Sequence, residues 1–404
     1  MKRQDGDRDI VFSAKQYRYT GLYYHEGGKL TRHGEPNQQT LEETGLFHLY
    51  RINPDGTGMT RLTHDSTTND IQPHWSPDGR SLLYLRDPHT SQNNTRNRKE
   101  VESVCRMDPD GRRRQTLFTL PNQGIDTIKE CFWSPDGKLV AVIALIGKGW
   151  ITPEACLILI DSTTGHPLRK IYRTYSAVWD STGRYLAIAD WYDQSPRILD
   201  LQTGTIPPFR GSGGTLRNLG FLTTTKQFIG DMSYRSNTNN GRSQLLTPGN
   251  GSGDVVLGQQ IKWSIVNAYT KDKEDEGGKE GNSYAADWFP DEGRRWFGLT
   301  ALGKNALLAE ASHARSDGGE RNVFRADLKS GNVWLLHCGY LIAVSPDGRR
   351  CAVATDDWVG PYKRGGRRCG PLEILSTTLP MGRKARKGHP ITPALMSFAG
   401  GDWR

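Results

Sequence analysis

Twelve polar and aromatic residues offer most of the binding chemistry in this sequence. Carboxylates, amides and one histidine stand close together in short segments, and two of the segments add aromatic rings. Clusters of this kind suit peptides, sugars or cations, because the polar groups exchange hydrogen bonds and the rings stack on apolar faces. Ordinary solvated loops are the alternative interpretation. The candidate binding residues are Asp70, Gln72, His74, Asp126, Glu130, Trp191, Tyr192, Asp193, Asp287, Asp356, Asp357 and Trp358.

Sequence motifs for catalysis or metal binding are missing. A serine nucleophile elbow needs Gly-x-Ser-x-Gly before a helix, and the nearest segment, 281–285, does not fit it. The 10 histidines never form His-x-His or His-Glu-x-x-His, and the 6 cysteines never form Cys-x-x-Cys. The sequence therefore predicts no catalytic residue, no metal site and no cofactor.

The positive charge is concentrated near the end of the chain. The formal net charge is +9, and residues 361–388 hold eight lysines and arginines against one acid, Glu373. This basic stretch is a candidate site for an anionic partner, with a solvated basic loop as the alternative. Nucleic-acid binding would need a recognisable reading module, and the stretch contains none.

The sequence contains no run of apolar residues long enough for a membrane span, and its N-terminus has no apolar run of the kind a signal peptide requires. We therefore expect a cytoplasmic protein without a membrane span, and we expect it to be a monomer. We also expect a protein or peptide partner, which the sequence does not identify.

One five-residue pattern recurs along the chain. Trp-Ser-Pro-Asp-Gly begins at Trp75 and again at Trp133. The mean spacing of all copies is about 53 residues, which is the length of one propeller blade with variable loops. Weaker copies begin at Trp179, Phe221, Trp288, Val344 and Met396.

Each copy predicts a tight turn between two strands. Proline fixes φ, aspartate supports the turn through its side chain, and glycine adopts the positive φ that closes the hairpin. Apolar runs of strand length follow the turns, as at residues 139–143 and 351–354. The strand before each turn is predicted to be the inner strand of a blade, beside a central channel. Six of the candidates lie on or just before predicted inner strands: Asp70, Gln72, His74, Asp126, Glu130 and Asp287. The other six lie in loops.

A second hairpin follows the first in most units. It is carried by residues 49–56, 104–111, 157–165, 198–204 and 324–331, each with an Asp-Gly or Thr-Gly type turn. Two hairpins make four strands, which is one blade. The segment at Met396 is predicted to supply the inner strand of a blade whose outer strands come from residues 9–65, which would satisfy unpaired sheet edges.

The repeats resemble those of the TolB-type propeller family, which are similar to WD repeats. Residues 49–56, 61–63 and 73–80 carry the family's Leu-Tyr-x-Ile-Asn-x-Asp-Gly, Arg-Leu-Thr and Pro-x-Trp-Ser-Pro-Asp-Gly-Arg segments. The resemblance implies an all-β propeller. The number of repeats and the two complementary chain ends predict seven blades in a single domain over residues 1–404, with six blades as the alternative if the copy at Met396 is not one. The resemblance leaves no room for the N-terminal domain of TolB itself, so the chain differs from TolB.

Two functions remain open. The first is a non-enzymatic scaffold that binds a protein or peptide through the channel mouth and loops. The alternative is a carbohydrate-active lyase or hydrolase with catalytic residues converging at the channel. Propeller lyases of the oligogalacturonate type use channel histidines with a metal, and the histidines here, including His74, His313 and His337, do not reproduce that cluster.

Overall fold

The computed structural model describes most of the chain. The described residues are 9–22, 24–26, 29–31, 39–43, 45–88, 102–120, 127–146, 154–190, 196–206, 215–222, 226–233, 242–248, 255–262, 264–265, 295–302, 305–312, 321–355, 358–359, 367–368, 370–378, 388–393 and 396–404. Every regular element within these ranges is a β-strand, so the predicted all-β class is confirmed there. None of the described segments forms a helix with the length and apolar character needed to cross a membrane.

The described strands are numbered in chain order. The first sixteen are β1 Ile10–Leu22, β2 Tyr24–Glu26, β3 Lys29–Thr31, β4 Gln39–Glu43, β5 His48–Ile52, β6 Thr60–Arg61, β7 Thr68–Trp75, β8 Leu82–Pro88, β9 Ser103–Met107, β10 Gln115–Thr119, β11 Thr127–Trp133, β12 Leu139–Ile146, β13 Glu154–Asp161, β14 Pro167–Tyr172, β15 Thr174–Trp179 and β16 Tyr185–Asp190. The others are β17 Pro196–Asp200, β18 Thr215–Leu222, β19 Gln227–Ser233, β20 Arg242–Pro248, β21 Val255–Lys262, β22 Ser264–Ile265, β23 Arg295–Leu302, β24 Ala306–Ser312, β25 Arg321–Asp327, β26 Asn332–Val344, β27 Arg350–Thr355, β28 Trp358–Val359, β29 Arg367–Arg368, β30 Leu372–Ser376, β31 His389–Pro390 and β32 Met396–Trp403.

Consecutive strands pair antiparallel into a series of sheets. Sheet 1 has the order β32-β1-β5-β6, with β4 on the far part of β1. Sheets 2 to 5 are β7-β8-β9-β10, β11-β12-β13-β14, β15-β16-β17 and β18-β19-β20-β21. The next sheet is continuous through β26, whose residues 333–338 pair with β25 and whose residues 339–344 pair with β27. We treat its two parts as sheet 6, β23 to β26, and sheet 7, β26-β27-β30-β31.

Sheet 1 joins the two ends of the described chain. β32 pairs antiparallel with β1, with Ile10 opposite Trp403 and Gln16 opposite Met396. The other side of β1 pairs with β5. The last strand therefore satisfies an edge of β1 that would otherwise be open.

The repeated turns have the predicted geometry. In the first, the amide of Gly79 donates to the carbonyl of Ser76 at 2.7 Å, and the Ser76 hydroxyl donates to Asp78 Oδ1 at 2.6 Å. The hydroxyl and the Arg80 amide hold the pKa of Asp78 below its ordinary value. The glycine that ends each such turn has a positive φ, +63° at Gly79, +73° at Gly137, +75° at Gly183 and +67° at Gly348.

Buried apolar side chains form a separate cluster between each pair of consecutive sheets. Phe12 of sheet 1 and Ala352 of sheet 7 belong to one cluster, and Leu49 of sheet 1 and Tyr84 of sheet 2 belong to another. Five further clusters join sheets 2 and 3, 3 and 4, 4 and 5, 5 and 6, and 6 and 7 within the described residues. Strands buried on both faces read as continuous apolar runs, which explains the composition seen in the sequence.

Two of the weaker copies do not fall at a described turn. The turn predicted after Trp288 lies outside the described residues, and the first strand of sheet 6 that is described, β23, ends at Leu302. The segment at Met396, predicted to supply an inner strand, lies in β32, which ends at Trp403. Leu302 is followed by a segment without proline or aspartate, and residues 396–400 also lack both, so composition marked neither boundary.

Candidate functional site

The inner strand of every sheet carries an irregularity in its pairing. These strands are β7, β11, β15, β18, β23, residues 339–344 of β26, and β32. The register of pairing with the neighbouring strand shifts within each of them. The shift lies between Ile71 and His74 in β7 and between Ile128 and Glu130 in β11. Equivalent shifts occur in the other five. A β-bulge turns a side chain away from the regular alternation along its strand. The repeated bulges therefore decide which side chains lie on which face of these strands.

Bulge residues of neighbouring sheets are hydrogen-bonded to one another. Gln72, in the left-handed region with φ +51°, donates from Nε2 to the carbonyl of Lys129 at 3.2 Å. Lys129 in turn donates from Nζ to the carbonyl of Tyr175 at 3.1 Å, and its ammonium lies 3.2 Å from the centre of the Tyr175 ring. The bulges thus connect sheets 2, 3 and 4. The buried Oε1 of Gln72 accepts no hydrogen bond from any described residue.

Gly400 allows β32 to approach β7 at this level. Its φ is +92°, and a Cβ placed there would come within 3.3 Å of the Gln72 Cα. Glycine tolerates this backbone conformation at no steric cost, whereas other residues are strained in it. This close approach brings the residues that follow Gly400 in β32 beside those that follow Gln72 in β7.

A histidine and two carboxyl groups meet beside the bulges. Asp402 of β32 accepts hydrogen bonds from the backbone amide of Trp75 at 2.9 Å, to Oδ2, and from that of Trp403 at 2.8 Å, to Oδ1. His74 stands directly before Trp75, and its carbonyl accepts from Trp133 Nε1 at 3.4 Å. Glu130 of β11 lies close enough to His74 for their charges to interact. Gln72, His74, Lys129, Glu130 and Asp402 are called the inner-strand cluster below.

Burial raises the pKa of both carboxyl groups. For Glu130 the loss of solvent is the largest cause, and the positive charges of His74 and Lys129 act in the opposite direction. For Asp402 burial again dominates, opposed by His74 and by the two backbone amides. A carboxyl group with a raised pKa is protonated at a higher pH than usual, so it is able to donate a hydrogen bond as well as accept one.

The cluster combines donors, acceptors and a cation in a small space. Lys129 supplies a positive charge, Gln72 an unused acceptor, and the two carboxyl groups exchange protons with solvent over a shifted pH range. Such a set suits hydrogen bonding to a polar ligand. Among the described side chains, no group of three or more His, Cys, Asp and Glu has the geometry of a metal site.

Asp70, also on β7, has a different environment. Its side chain is 0% exposed and accepts from Arg86 Nε at 3.0 Å, and its carbonyl accepts from the Ser13 hydroxyl at 2.8 Å. Arg86 also lies 3.9 Å from Asp65. The Arg86–Asp70 pair lies within sheet 2, and the hydrogen bond from Ser13 joins sheet 1 to sheet 2. The assignment of Asp70 to a binding site stays a prediction.

Of the predicted site residues, the structure brings Gln72, His74 and Glu130 together. Trp358 lies in β28, and its side chain is not described. The remaining predicted residues lie outside the described part of the chain; they are Asp126, Trp191, Tyr192, Asp193, Asp287, Asp356 and Asp357.

Sequence reasoning missed Asp402, Lys129 and Tyr175. Aligning Trp403 with Trp75 would have revealed Asp402, because each of the two tryptophans ends an inner strand. The last copy of the five-residue pattern was instead placed at Met396, seven residues before Trp403. Lys129 and Tyr175 carry no motif signal, since a bulge is not visible in a pattern of alternating residues.

No family model matches this sequence, and no curated protein matches it. Among solved structures, an oligogalacturonate lyase in complex with manganese is 11% identical, with a TM-score of 0.54 over 92% of this chain and 91% of that one. The oligogalacturonate lyase of Vibrio parahaemolyticus is 9% identical, with a TM-score of 0.52 over 88% and 89% of the two chains. A protein described as a TolB of Agrobacterium tumefaciens is 14% identical, with a TM-score of 0.42 over 82% and 90%. The likeness to the two lyases is one of fold alone, and together with the series of antiparallel sheets it supports a β-propeller fold.

Proposed function

We propose that the chain is a seven-bladed propeller of the TolB repeat type, closed through sheet 1. The apolar cluster between sheets 7 and 1 and the pairing of β32 with β1 support the closure. The seven inner strands with bulges support seven blades over six. A cysteine pair at Lys15 and Ser397, which face each other across β1 and β32, tests the closure. Oxidation is expected to link the two ends within one chain, and a disulfide formed only between chains would refute it.

The function that the geometry supports best is binding of a small polar ligand, of the carbohydrate class, at the inner-strand cluster. The observation that carries this proposal is the set of polar side chains on β7, β11 and β32: Gln72 with its unused acceptor, bonded to the Lys129 carbonyl, and Asp402, bonded to the Trp75 amide. Sugars are recognised by neighbouring donors and acceptors of this kind, and Tyr175 adds an aromatic ring at the same level.

Binding of a protein or peptide at the channel mouth is supported less well. Most of the loop residues predicted for it lie outside the described part of the chain. Large exposed apolar side chains would favour such a partner, and those of the described residues are Met59, Leu168 and Tyr172, none of them on an inner strand. An anionic partner of the basic stretch 361–388, a cytoplasmic location and a monomeric state also stay predictions.

Isothermal titration calorimetry with neutral and uronate-bearing oligosaccharides tests the proposed binding. Glu130→Gln is expected to weaken binding by about tenfold, because it replaces a charge-assisted hydrogen bond by a neutral one. Asp110→Asn is the matched control, since Asp110 has a 53% exposed side chain on a turn of sheet 2 and loses the same charge. Absence of saturable binding, or an equal effect of the two substitutions, would refute the proposal.

Turnover of the bound carbohydrate is the second candidate function. The observation that favours it is the position of His74 near two carboxyl groups with raised pKa values, which provides a proton acceptor and a proton donor in one cluster. Product formation from the same oligosaccharides, followed by chromatography across pH 4 to 9, tests it. A bell-shaped profile that loses one limb in Glu130→Gln is expected, and binding without any product would exclude turnover.

A further inference from the structure

The outer edge of sheet 3 is one of the longer outer edges among the described sheets. β14 is its last strand and pairs with β13 alone, over Cys156 to Ile160. It has six residues, compared with two each in the outer strands β6 and β31, five each in β10 and β17, and eight in β21. An edge strand presents alternate backbone amides and carbonyls to any extended segment that approaches it, and short edges limit such pairing. β14 is long enough to accept another strand.

Two of the three large exposed apolar side chains among the described residues lie on this strand. Leu168 is 57% exposed and Tyr172 is 52% exposed. Because side chains alternate along a strand, Lys170 and Tyr172 share one face, and Leu168 lies beside them at a bulge, where the pairing shifts between Arg169 and Pro167. The Lys170 ammonium lies 4.7 Å from the centre of the Tyr172 ring, which agrees with a shared face. Ile171, on the opposite face, is buried against sheet 4.

The charge of this edge is entirely positive. Residues 165–173 contain Arg169, Lys170 and Arg173 and no aspartate or glutamate. Arg169 donates to the carbonyl of Gly204 at 2.9 Å and stays at the edge through that contact. Like charges placed opposite each other across two strands are destabilising, so a second copy of β14 is a poor partner and an acidic segment is a good one.

We propose that β14 binds an extended acidic peptide segment as an additional strand of sheet 3. The exposed side chains of Leu168, Lys170 and Tyr172 set the pattern of the partner: apolar, acidic and apolar side chains opposite them. Backbone hydrogen bonds to the edge supply affinity, and the three side-chain positions supply specificity. Arg197 Nη2 donates to the carbonyl of Tyr172 at 3.5 Å, so this carbonyl already has a partner. The added strand therefore pairs with the residues of β14 before Tyr172. This surface is independent of the inner-strand cluster.

Fluorescence anisotropy with two labelled heptapeptides tests the proposal. One has valine at its second and sixth positions, glutamate at its fourth and threonine elsewhere, and its twin has lysine in place of glutamate. The native chain is expected to prefer the glutamate peptide by about fivefold, the size of one favourable cross-strand charge pair. Lys170→Glu should reverse that preference, and Leu168→Thr should weaken binding of both peptides without changing their order.

Lys138→Glu is the matched control, because Lys138 is 81% exposed on a turn of the same sheet and changes the net charge equally. It is expected to leave the preference unchanged. The proposal is overturned if neither peptide binds, if Lys138→Glu acts as strongly as Lys170→Glu, or if Lys129→Met abolishes binding, since the peptide would then occupy the inner strands. Self-association of the native chain that Leu168→Thr removes would also overturn it, by identifying a second copy as the occupant.

Discussion

Replacing Glu130 by glutamine removes one titrating group from the inner-strand cluster and keeps the shape of the side chain. Burial raises the pKa of Glu130 above its ordinary value of 4.5. The folded chain therefore holds this proton more tightly than the unfolded chain does. The stability that this difference contributes is fully present below the ordinary pKa and is lost as the pH rises through the raised pKa.

The expected size follows from proton linkage. Between the two pKa values, each pH unit lowers the wild-type free energy of unfolding by at most about 1.4 kcal/mol, the equivalent of one proton. Glu130 retains some solvent contact, which reduces the slope below this limit. Glutamine does not titrate, so the free energy of unfolding of Glu130→Gln does not fall in this way. The variant is therefore expected to gain stability relative to the wild type as the pH rises above 4.5.

Urea denaturation from pH 4 to pH 8, followed by tryptophan fluorescence, measures the difference between the two chains. Asp347→Asn is a control of opposite sign, because the Ser345 hydroxyl and the Arg349 amide hold the pKa of Asp347 below its ordinary value. That variant is expected to lose stability relative to the wild type only as the pH rises to the ordinary value of 3.8 and to differ by a constant amount above it, so its measurement is extended to about pH 3. A difference for Glu130→Gln that stays constant across the range, or that changes in the direction of the control, would show that the carboxyl is well solvated.

Three further substitutions test the packing between sheets by urea denaturation. Gly137→Ala is expected to cost about 1 kcal/mol, because φ is +73° and the added Cβ meets no close backbone atom. Gly165→Ala, at the same φ, is expected to cost several times more, since its Cβ would lie 1.8 Å from the carbonyl oxygen of Leu117; equal costs would contradict this. Tyr340→Phe is expected to cost about 1–3 kcal/mol, because its hydroxyl donates to the carbonyl of Phe398 at 3.2 Å and accepts from its amide at 3.0 Å. A cost below about 0.5 kcal/mol would show that this link between β26 and β32 is replaced by water.

The tight turns and their strands were predictable from the sequence because their causes are local. A proline, an aspartate and a glycine at fixed positions define the turn at 76–79 whatever the rest of the chain does. The same locality limits the prediction where the pattern is weak. The turn predicted after Trp288 lies outside the described residues, and the strand ends at Leu302 and Trp403 are not followed by the pattern.

The candidate site was predictable only in part. Gln72, His74 and Glu130 were assigned to inner strands from their distance to the turns, and the structure agrees. Asp402 reaches the amide of Trp75 across 327 positions of the chain, and only the pairing of β32 with β1 brings it there. Local sequence thus determined the turns and strands, whereas the bulges and the meeting of the two carboxyl groups were decided by how the sheets pack. Those contacts depend on residues far apart in the chain, and no short pattern encodes them.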